Sequence, residues 1–360
     1  MKLLLFPGSF VPHIGGLETH VDEFTKYFSS YADITVFAPM NAGGEEFEVR
    51  HGSVQVIRYP CIRLFENMYI PNMFSLTFWR LLRRIRGKYD FTMTRTRFFP
   101  NSLLGFLYSK WHGIRNVHVE HGSSHFSSPN KLLNWIGWLV DKTVGSLIIK
   151  RSFLTIAISQ AVKDFLHECF GVNAPIITRG VDFSAYSSIR AVKKDPSRIR
   201  IGFVGRLIHW KGVQNSAEAY LGLEESLRSR AEFVVVGEGE VTLPEGIVCV
   251  GKKSFSEAIA WMKSFDVYVH SAYPGGGLSN SLLQAMYLGC TIVASPHEGG
   301  KEVVSNSFGV LLKDNSVAEI RRGLRKVLRQ KTFTNEKATA YIKREFSWEE
   351  KCEEYLRLMQ

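Results

Sequence analysis

A segment with two cations between two glycines is the part of the sequence best suited to chemistry. In Gly205-Arg206-Leu207-Ile208-His209-Trp210-Lys211-Gly212, a guanidinium and an ammonium directly follow an apolar strand pattern. Two such cations can flank a diphosphate, and glycines let the backbone come close to it. A solvated basic turn is the plainer alternative, but the position at the carboxyl end of a strand favours phosphate binding. The spacing is not that of a Walker loop.

Two other glycine turns precede helical patterns. Gly15-Gly16 stands before Leu17-Glu18, where the free N–H groups of a first helical turn could accept an anion, although an ordinary turn is the better interpretation of the pair alone. The stretch from Tyr273 to Met286 carries three glycines and then Ser279 and Asn280 as candidate helix caps. A three-glycine run is unusual in a plain turn, so we predict an anion-accepting helix start there.

Two smaller signals also follow strand patterns. His121-Gly122 comes after the apolar stretch 117–120, and Gly237-Glu238-Gly239 comes after 233–236. A single histidine is more often structural than catalytic, so the residue type alone does not assign His121 to a site.

The elements that would position these residues follow one plan twice. Strand 3–6 leads through glycines into a helix at 17–28, and strand 199–204 leads into a helix at 213–220. Other apolar strand patterns, with helical patterns between them, lie at 34–38, 54–59, 91–94, 117–120, 154–159, 232–236, 247–250, 267–270 and 291–294. Alternation of this kind predicts two doubly wound α/β domains, at 1–183 and 199–345, with a charged linker at 184–198.

Composition limits the classes of function. The 360 residues are 45% hydrophobic, which excludes a disordered chain, and the net charge of +11 favours phosphates, nucleic acid or an anionic membrane as partners. Five scattered cysteines provide neither a zinc site nor a redox pair and suggest a reducing cytosol. A short apolar start and the lack of eighteen consecutive uncharged apolar residues predict no signal peptide and no membrane span.

The basic segment 75–88 has two interpretations of equal weight. Leu76, Trp79, Leu82 and Ile85 share one helical stripe, and four arginines lie elsewhere on the helix, at Arg80, Arg83, Arg84 and Arg86. This composition is typical of an interfacial helix on anionic lipid, and equally of a surface helix packed on a sheet. The apolar stretch 132–149 is either core or a surface for a lipid acceptor. Nucleic acid is the weakest partner, because no recognised binding module accompanies the arginines.

Taken together, the motifs resemble one large family. Their order along the chain is Gly15-Gly16-x-Glu18, His121-Gly122, Ile158-Ser159, Gly180-Val181-Asp182, Gly205-Arg206-Leu207 with Lys211-Gly212, Val236-Gly237-x-Gly239, Asp266-Val267, Gly276 to Met286 and Gly299-Gly300. This ordered set resembles the retaining glycosyltransferases with the GT-B fold, among them enzymes similar to glycogen synthase, sucrose synthase and phosphatidylinositol mannosyltransferase. The resemblance extends over nearly the whole chain.

The resemblance implies two Rossmann-like domains facing each other across a cleft, with a C-terminal helix at 346–360 packing back on the first. Arg206 and Lys211 would hold the donor diphosphate in place of a metal, so no metal or other cofactor is expected. His121 would bond a hydroxyl of the transferred sugar. The remaining donor contacts would come from Gly15, Gly16, Gly205, Gly237, Gly276, Gly277, Leu278, Ser279, Asn280, Ser281 and Gln284.

The sequence departs from the family pattern at three positions. Gly276 and Gln284 stand where the family has two glutamates, one beside the donor sugar and one on the ribose, and Arg179 stands where the family usually has asparagine. A neutral amide makes weaker hydrogen bonds to ribose than a carboxylate does. Glu298 or Glu302 could compensate for the lost charge.

These observations predict a retaining glycosyltransferase on the cytoplasmic side of a membrane. It would use a UDP- or GDP-sugar and a lipid-linked or surface-glycan acceptor, and it would contact the anionic membrane through Trp79, Arg80, Arg83, Arg84 and Arg86. One alternative is a non-catalytic or partner-dependent GT-B subunit, because both glutamates are replaced. Another is the same enzyme class with a soluble small-molecule acceptor.

Overall fold

The computed structural model describes residues 1–13, 15–40, 44–65, 68–87, 89–125, 131–274, 278–297, 299–330 and 332–360. Within them the chain forms two compact units. The first consists of Met1–Gly180 together with Trp348–Gln360, and the second of Val181–Ser347.

The first unit is built on a mostly parallel sheet. Its strands β1 to β9 are Lys2–Phe6, Asp33–Pro39, Phe47–Arg50, Val54–Tyr59, Cys61–Phe65, Met68–Pro71, Phe91–Arg95, Arg115–Glu120 and Leu154–Ala157. Seven of those described form one sheet in the order β3-β4-β2-β1-β7-β8-β9, while β5 and β6 pair separately. The pair β3-β4 is antiparallel, and the other pairs of this sheet are parallel.

Helices pack on both faces of this sheet. The helices α1 to α6 are Gly16–Phe28, Leu76–Arg84, Pro100–His112, Lys131–Val140, Ser146–Arg151 and Gln160–Phe170, and a π-helical turn at Asp141–Gly145 joins α4 to α5. Local sequence explains their ends. The Ser159 hydroxyl accepts a hydrogen bond from the Val162 N–H to begin α6, and α6 ends at Gly171, whose φ of +69° suits a residue without Cβ.

The second unit repeats the architecture with a parallel sheet. Strands β10 to β15 are Ile199–Val204, Ala231–Val236, Val248–Cys249, Val267–His270, Thr291–Ala294 and Gly309–Leu311, in the order β12-β11-β10-β13-β14-β15. Helices α7 to α14 are Ser184–Ser187, Val213–Leu221, Glu225–Arg228, Phe255–Met262, Asn280–Tyr287, Gly300–Val303, Val317–Leu328 and Glu336–Glu345.

The last helix, α15 at Trp348–Met359, completes the core of the first unit. Trp348, Tyr355 and Met359 are buried in the same apolar cluster as Phe24 and Phe28 of α1. The Trp348 indole is fully buried, and its Nε1 donates to Glu23 Oε2 at 3.0 Å. Burying an indole with its N–H satisfied stabilises the unit without the penalty of an unpaired donor.

The segment predicted as a linker is instead part of the second unit. Residues 184–198 contain α7, and Lys263 at the end of α10 donates from Nζ to the carbonyl oxygens of Tyr186 and Ile189 at 2.6 Å each. Lys194 forms an ion pair with Asp266 at the start of β13. The segment whose charge suggested a linker therefore forms contacts with Lys263 and Asp266 of the second unit.

Among the described residues, one helical stretch is long and apolar enough to cross a membrane by length and composition. It spans Lys131–Arg151, that is α4, the π turn and α5, and 28% of its most apolar window is buried. The sequence analysis predicted no membrane span here because Asp141 and Lys142 interrupt the run of uncharged apolar residues. The same length and composition occur in core helices of soluble proteins, so they do not by themselves assign a membrane span. Asp141 is fully buried and pairs with Arg97, which fixes the stretch to its own unit.

Helix α2 packs through a face that matches the predicted stripe only in part. Phe78, Leu81 and Ile85 are buried against the sheet, whereas Leu76 is 87% exposed and Trp79 is 38% exposed. Leu82 and Ile85 of the predicted stripe pack in this cluster, and Leu76 and Trp79 do not, because the position of the sheet decides which part of the apolar face is covered. Arg80, Arg83, Arg84 and Arg86 are all exposed. The basic helix is therefore anchored on the sheet and still presents cations beside apolar side chains.

Candidate functional site

The second sheet has a topological switch point between β10 and β13. These strands are neighbours, and the sheet continues to β11 on one side and to β14 on the other. In open α/β sheets ligands bind beyond the carboxyl ends of the strands at such a point. The two loops that leave β10 and β13 there are the ones with the predicted cationic segment and the predicted three-glycine run.

The loop after β10 is held by backbone contacts that leave its cations at the surface. The N–H groups of Gly205 and Leu207 donate to the carbonyl oxygens of Val236 and Glu238, at 3.0 and 2.9 Å. Arg206 is exposed, and Lys211 is partly buried in a short 3₁₀ turn. Because these contacts fix the loop through its backbone, the exposed guanidinium of Arg206 can meet an anion.

Gly212 is required by the packing of this loop. Its φ is +67°, and a Cβ would lie 2.0 Å from the Ser271 carbonyl oxygen. The Ser271 hydroxyl in turn donates to the Gly212 carbonyl oxygen at 2.8 Å, and the Tyr273 N–H donates to the Trp210 carbonyl oxygen at 2.8 Å. The loops after β10 and β13 are therefore bonded to each other at one edge of the sheet.

Gly237 and Gly239 pack against the backbone of the cationic loop. A Cβ on Gly237 would lie 1.9 Å from the Gly205 carbonyl oxygen, and one on Gly239 would lie 2.3 Å from that of Leu207. Both glycines therefore allow two backbones to meet, which explains their presence without a ligand. Gly237, predicted as a donor contact, lies next to the loop that carries Arg206.

Helix α11 begins beside this edge. Ser279 is its N-cap residue but makes no side-chain capping bond, and the Asn280 Oδ1 is buried with no hydrogen-bond partner among the residues that the structure describes. Gln284 lies in the second turn and is partly buried. Gly276 and Gly277 lie outside the described residues, as does Glu298. The amides of the first turn of α11 remain suited to an anion.

His270 is a neighbour that sequence reasoning did not single out. It ends β13, is 4% exposed, and its Nε2 lies 3.2 Å from the His297 carbonyl oxygen. Burial, and then the charge of Lys211, lower its pKa to about 4. The imidazole is therefore neutral at neutral pH and adds no charge beside the cationic loop. The sequence feature that could have identified His270 is its position at the carboxyl end of a strand, next to two glycine-containing loops.

In the first unit, Gly15 and Gly16 lead from β1 into α1. Gly15 is the N-cap of α1, and a Cβ there would lie 2.3 Å from Glu18 Oε2, whereas a Cβ on Gly16 would meet no described atom within 4 Å. The Glu18 carboxylate is buried and pairs with His13 at 3.2 Å. Gly16 therefore borders open space, as a ligand-facing glycine would.

His121 is positioned by the buried carboxylate that precedes it. Glu120 Oε1 accepts hydrogen bonds from the N–H groups of His121 and Gly122 at 2.9 and 2.7 Å. Burial would raise the pKa of Glu120, but its bond with His118 and the charge of Arg97 outweigh burial and lower that pKa to about 2. Glu120 is therefore an anion that fixes the backbone on which His121 stands.

The His121 imidazole is neutral and presents its Nε2 for hydrogen bonding. Burial, and then the charge of Arg95, lower its pKa to about 3, and its Nε2 has no hydrogen-bond partner in the described part of the chain. The ring contacts His20, with centroids 5.2 Å apart. A neutral imidazole with a free nitrogen can exchange one hydrogen bond with a ligand hydroxyl.

Arg95 and His20 were not predicted. Arg95 is fully buried at the end of β7, its Cζ lies 4.7 Å from the centre of the Phe24 ring, and its Nε and Nη1 have no partner among the described residues. Burial, and then the charge of Arg95, hold the pKa of His20 well below its usual value. Arg179, the third departure from the family pattern, forms an ion pair with Glu23 at 3.6 Å.

The predicted residues thus form groups within each unit. Gly205, Arg206, Lys211, Gly237 and the start of α11 lie at one edge of the second sheet. Gly15, Gly16 and His121 lie beyond carboxyl ends of strands in the first sheet, and the basic residues of α2 form a separate surface.

Comparison with solved structures identifies the architecture. The HepE protein of Anabaena in complex with UDP superimposes with a TM-score of 0.74 at 19% identity, covering 99% of each chain. Sucrose-phosphate synthase from Thermosynechococcus elongatus gives a TM-score of 0.77 at 13% identity, covering 99% of this chain and 97% of its own. The two Rossmann-like units are those of the GT-B fold.

Sequence comparison identifies the family. The model for glycosyl transferases group 1 matches residues 187–348, and that for glycosyltransferase family 4 matches residues 14–185. An uncharacterized glycosyltransferase of Methanocaldococcus jannaschii is 43% identical over all of this chain and 98% of its own. A phosphatidyl-myo-inositol mannosyltransferase of Propionibacterium freudenreichii is 26% identical over 46% of this chain and 44% of its own. The chain belongs to the group 1 glycosyltransferases.

Proposed function

We propose that this glycosyltransferase moves a sugar from a UDP- or GDP-sugar to a lipid-linked or surface-glycan acceptor, with retention of anomeric configuration. The observation that carries the proposal is the switch point of the second sheet, where the Arg206 loop and the start of α11 lie at one edge. A similar fold in HepE was solved with UDP, which supports a uridine nucleotide as the first donor to try.

In this proposal two cationic side chains take the place of a bound metal ion. Arg206 and Lys211 bind the diphosphate and stabilise the charge that develops on it as the sugar leaves. The amides at the start of α11 bind the same group. Because the diphosphate departs as an anion held by fixed cations, the reaction needs neither a bound metal nor another cofactor.

His121 bonds a hydroxyl of the transferred sugar. Its imidazole stays neutral, because burial and Arg95 hold its pKa at about 3, and its free Nε2 provides the bond. Retention then follows from attack of the acceptor on the face from which the diphosphate leaves, with a phosphate oxygen accepting the acceptor's proton. No protein nucleophile or separate general base is needed.

Donor binding and transfer are tested together. UDP-, GDP- and other nucleotide sugars are screened by thermal shift, and nucleotide release is measured with and without lipid extract. Arg206→Ala and Lys211→Ala should each slow release by about 100-fold, the size of a lost transition-state donor. Lys326→Ala removes an exposed cation from α13 of the same unit and should have no effect. Release that survives both site variants would refute the assigned roles, and product NMR decides the anomeric configuration.

A partner-dependent or non-catalytic subunit is the second candidate. It is favoured by Gln284, which stands in the second turn of α11 where the family has a glutamate. Such a protein would bind the nucleotide and yet release none from any nucleotide sugar. Stabilisation by UDP without release, in the presence of every acceptor tried, would support this candidate over the enzyme. Release to a water-soluble acceptor alone would support the soluble-acceptor alternative.

The first unit is proposed to contact the membrane peripherally. Helix α2 exposes Leu76 beside Arg80 and Arg83, and α4 exposes Trp135 at 58% and Trp138 at 46%. Apolar side chains next to arginines suit the headgroup region of an anionic bilayer. The corresponding location is the cytoplasmic face of the membrane.

Vesicle flotation at low salt tests this contact. The folded protein should float with anionic vesicles and less with zwitterionic ones, and Leu76→Ser combined with Trp135→Ser should abolish flotation. Trp111→Ser is the matched control, because that indole is 83% exposed on α3. Absence of flotation with anionic vesicles would refute membrane contact while leaving the donor proposal intact.

A further inference from the structure

A thiol, an imidazole and a carboxylate form a chain of contacts that the proposed transfer reaction does not use. His125, in the loop after β8, lies 2.6 Å from Asp141 Oδ2 through its Nδ1. Its other ring nitrogen, Nε2, lies 3.7 Å from Cys169 Sγ at the end of α6. We propose that Cys169, His125 and Asp141 form an activated-thiol site that is modified by soft electrophiles and low-molecular-weight disulfides.

The order of the three groups is the one that activates a nucleophile. A carboxylate orients an imidazole through one ring nitrogen, and the other nitrogen accepts the proton of the nucleophile. Here the carboxylate is fixed, because Asp141 is fully buried and its Oδ1 lies 2.8 Å from Arg97 Nε. The His125 ring also contacts the Phe165 ring edge-on at 5.2 Å, one turn before Cys169 on α6.

The carboxylate of this chain of contacts belongs to a buried ion network. Arg97 also pairs with Glu120 at 3.1 Å, so one guanidinium faces two buried carboxylates, Glu120 and Asp141. Asp141 is therefore fixed by Arg97 on one oxygen and meets the His125 ring with the other. His118, which lies 3.2 Å from Glu120, is the other titratable group of this network. The thiol of Cys169 thus stands next to an imidazole that a fixed carboxylate orients.

The site can be reached from solvent. The side chain of His125 is 34% exposed, and Cys169 is partly exposed. The other partly or fully buried cysteines are less suited to reaction, since burial raises the pKa of Cys290 and of Cys352 to about 12 and also raises that of Cys61. Cys249 is exposed and serves as an internal reference.

The reaction is balanced as follows. The thiol proton moves from Cys169 Sγ to His125 Nε2, while Nδ1–H donates to Asp141. With a haloacetamide, the thiolate attacks the methylene carbon, a carbon–sulfur bond forms, the halide leaves, and the imidazolium returns its proton to water. With a disulfide, the thiolate forms a mixed disulfide and expels the second thiolate, which takes up the proton.

Competitive alkylation of the full chain tests the site. The folded protein is treated with limiting iodoacetamide at pH 7, and peptide mass spectrometry follows Cys169 and Cys249 in the same sample. Cys169 should react about tenfold faster, because a free thiol is only a few per cent thiolate at this pH. In denaturant, where the contacts with His125 are lost, the two rates should converge.

Two matched comparisons complete the test. His125→Gln should slow Cys169 to below the rate of Cys249 and leave Cys249 unchanged, which also reports that the fold and reagent are intact. Equal reactivity of Cys169 and Cys249 in the folded wild-type protein would overturn the proposal, and that comparison holds even if the variant does not fold. An unchanged Cys169 rate in folded His125→Gln would overturn it as well.

Discussion

Mild acid should destabilise the first unit through His121. Burial and the charge of Arg95 lower the pKa of this imidazole to about 3 in the folded chain, against about 6.5 when the chain is unfolded. The lowered value means that stability is full above pH 6.5 and falls as the pH drops toward 3, because only the unfolded chain takes up the proton. From pH 7.5 to 5.5 the free energy of unfolding should fall by about 1.4 kcal/mol for this one group.

That magnitude requires only that the folded pKa of His121 lie well below 5.5. It is measured by urea unfolding at the two pH values, read by hydrogen exchange in peptides from β7 and β8, so that the first unit is followed by itself. Over this pH interval, the free energy of unfolding of the His121→Gln variant should fall by about 1.4 kcal/mol less than that of the wild type. His20, whose pKa is lowered in the same way, adds its own loss in both proteins.

His167→Gln is the matched control, because this histidine is exposed on α6. It should leave the acid-induced loss as large as in the wild type. An equal loss in His121→Gln and the wild type would refute a buried, neutral His121, and with it the argument that the ring is held uncharged for bonding a sugar hydroxyl.

Three further perturbations give distinct outcomes. Trp348→Ala should lower the free energy of unfolding of the first unit, measured in urea, by about 3–5 kcal/mol, because the indole is fully buried. Trp111→Ala, which changes an exposed indole, should lower it by less than about 0.5 kcal/mol. Similar losses in the two variants would contradict the packing of α15. Gly237→Ala should lower the melting temperature of the second unit, because its Cβ would lie 1.9 Å from the Gly205 carbonyl oxygen, and an unchanged value would show that the loops separate easily. Gln284→Glu should tighten nucleotide binding about fivefold in calorimetry by restoring a charged acceptor, and unchanged affinity would place residue 284 away from the ribose.

The strands were largely predictable because parallel strands buried on both faces consist of consecutive apolar residues. The first strand pattern, 3–6, lies within β1 at Lys2–Phe6, and 267–270 matches β13. The pair β5 and β6 was not predicted, since its partly exposed strands lack such a run. The packed face of α2 was predicted only in part: Leu82 and Ile85 pack as the stripe predicts, but Leu76 is exposed and Phe78 is buried, because the position of the sheet decides which side is covered.

The loops of the candidate site were predictable from glycines and cations next to strands, as at Gly205 and Lys211. The partners of a buried polar residue were not. Arg95 stands at the end of an apolar strand, and its neighbours come from elements far away in the chain: Val119 by strand register, Phe24 by helix packing. Nothing local to Arg95 indicates that its charge adds to burial in lowering the pKa of His121, because that effect depends on which strands become adjacent.

The return of the chain to the first unit at Trp348 has a consequence during synthesis. A ribosome completes all strands of the first sheet before it makes α15, and it must translate the whole of Val181–Ser347 in between. Throughout that interval the rings of Phe24 and Phe28, which α15 covers in the finished protein, lack their final cover. The nascent first unit therefore lacks part of its apolar core for as long as the second is being translated, and transiently uncovered apolar surface of this kind promotes aggregation.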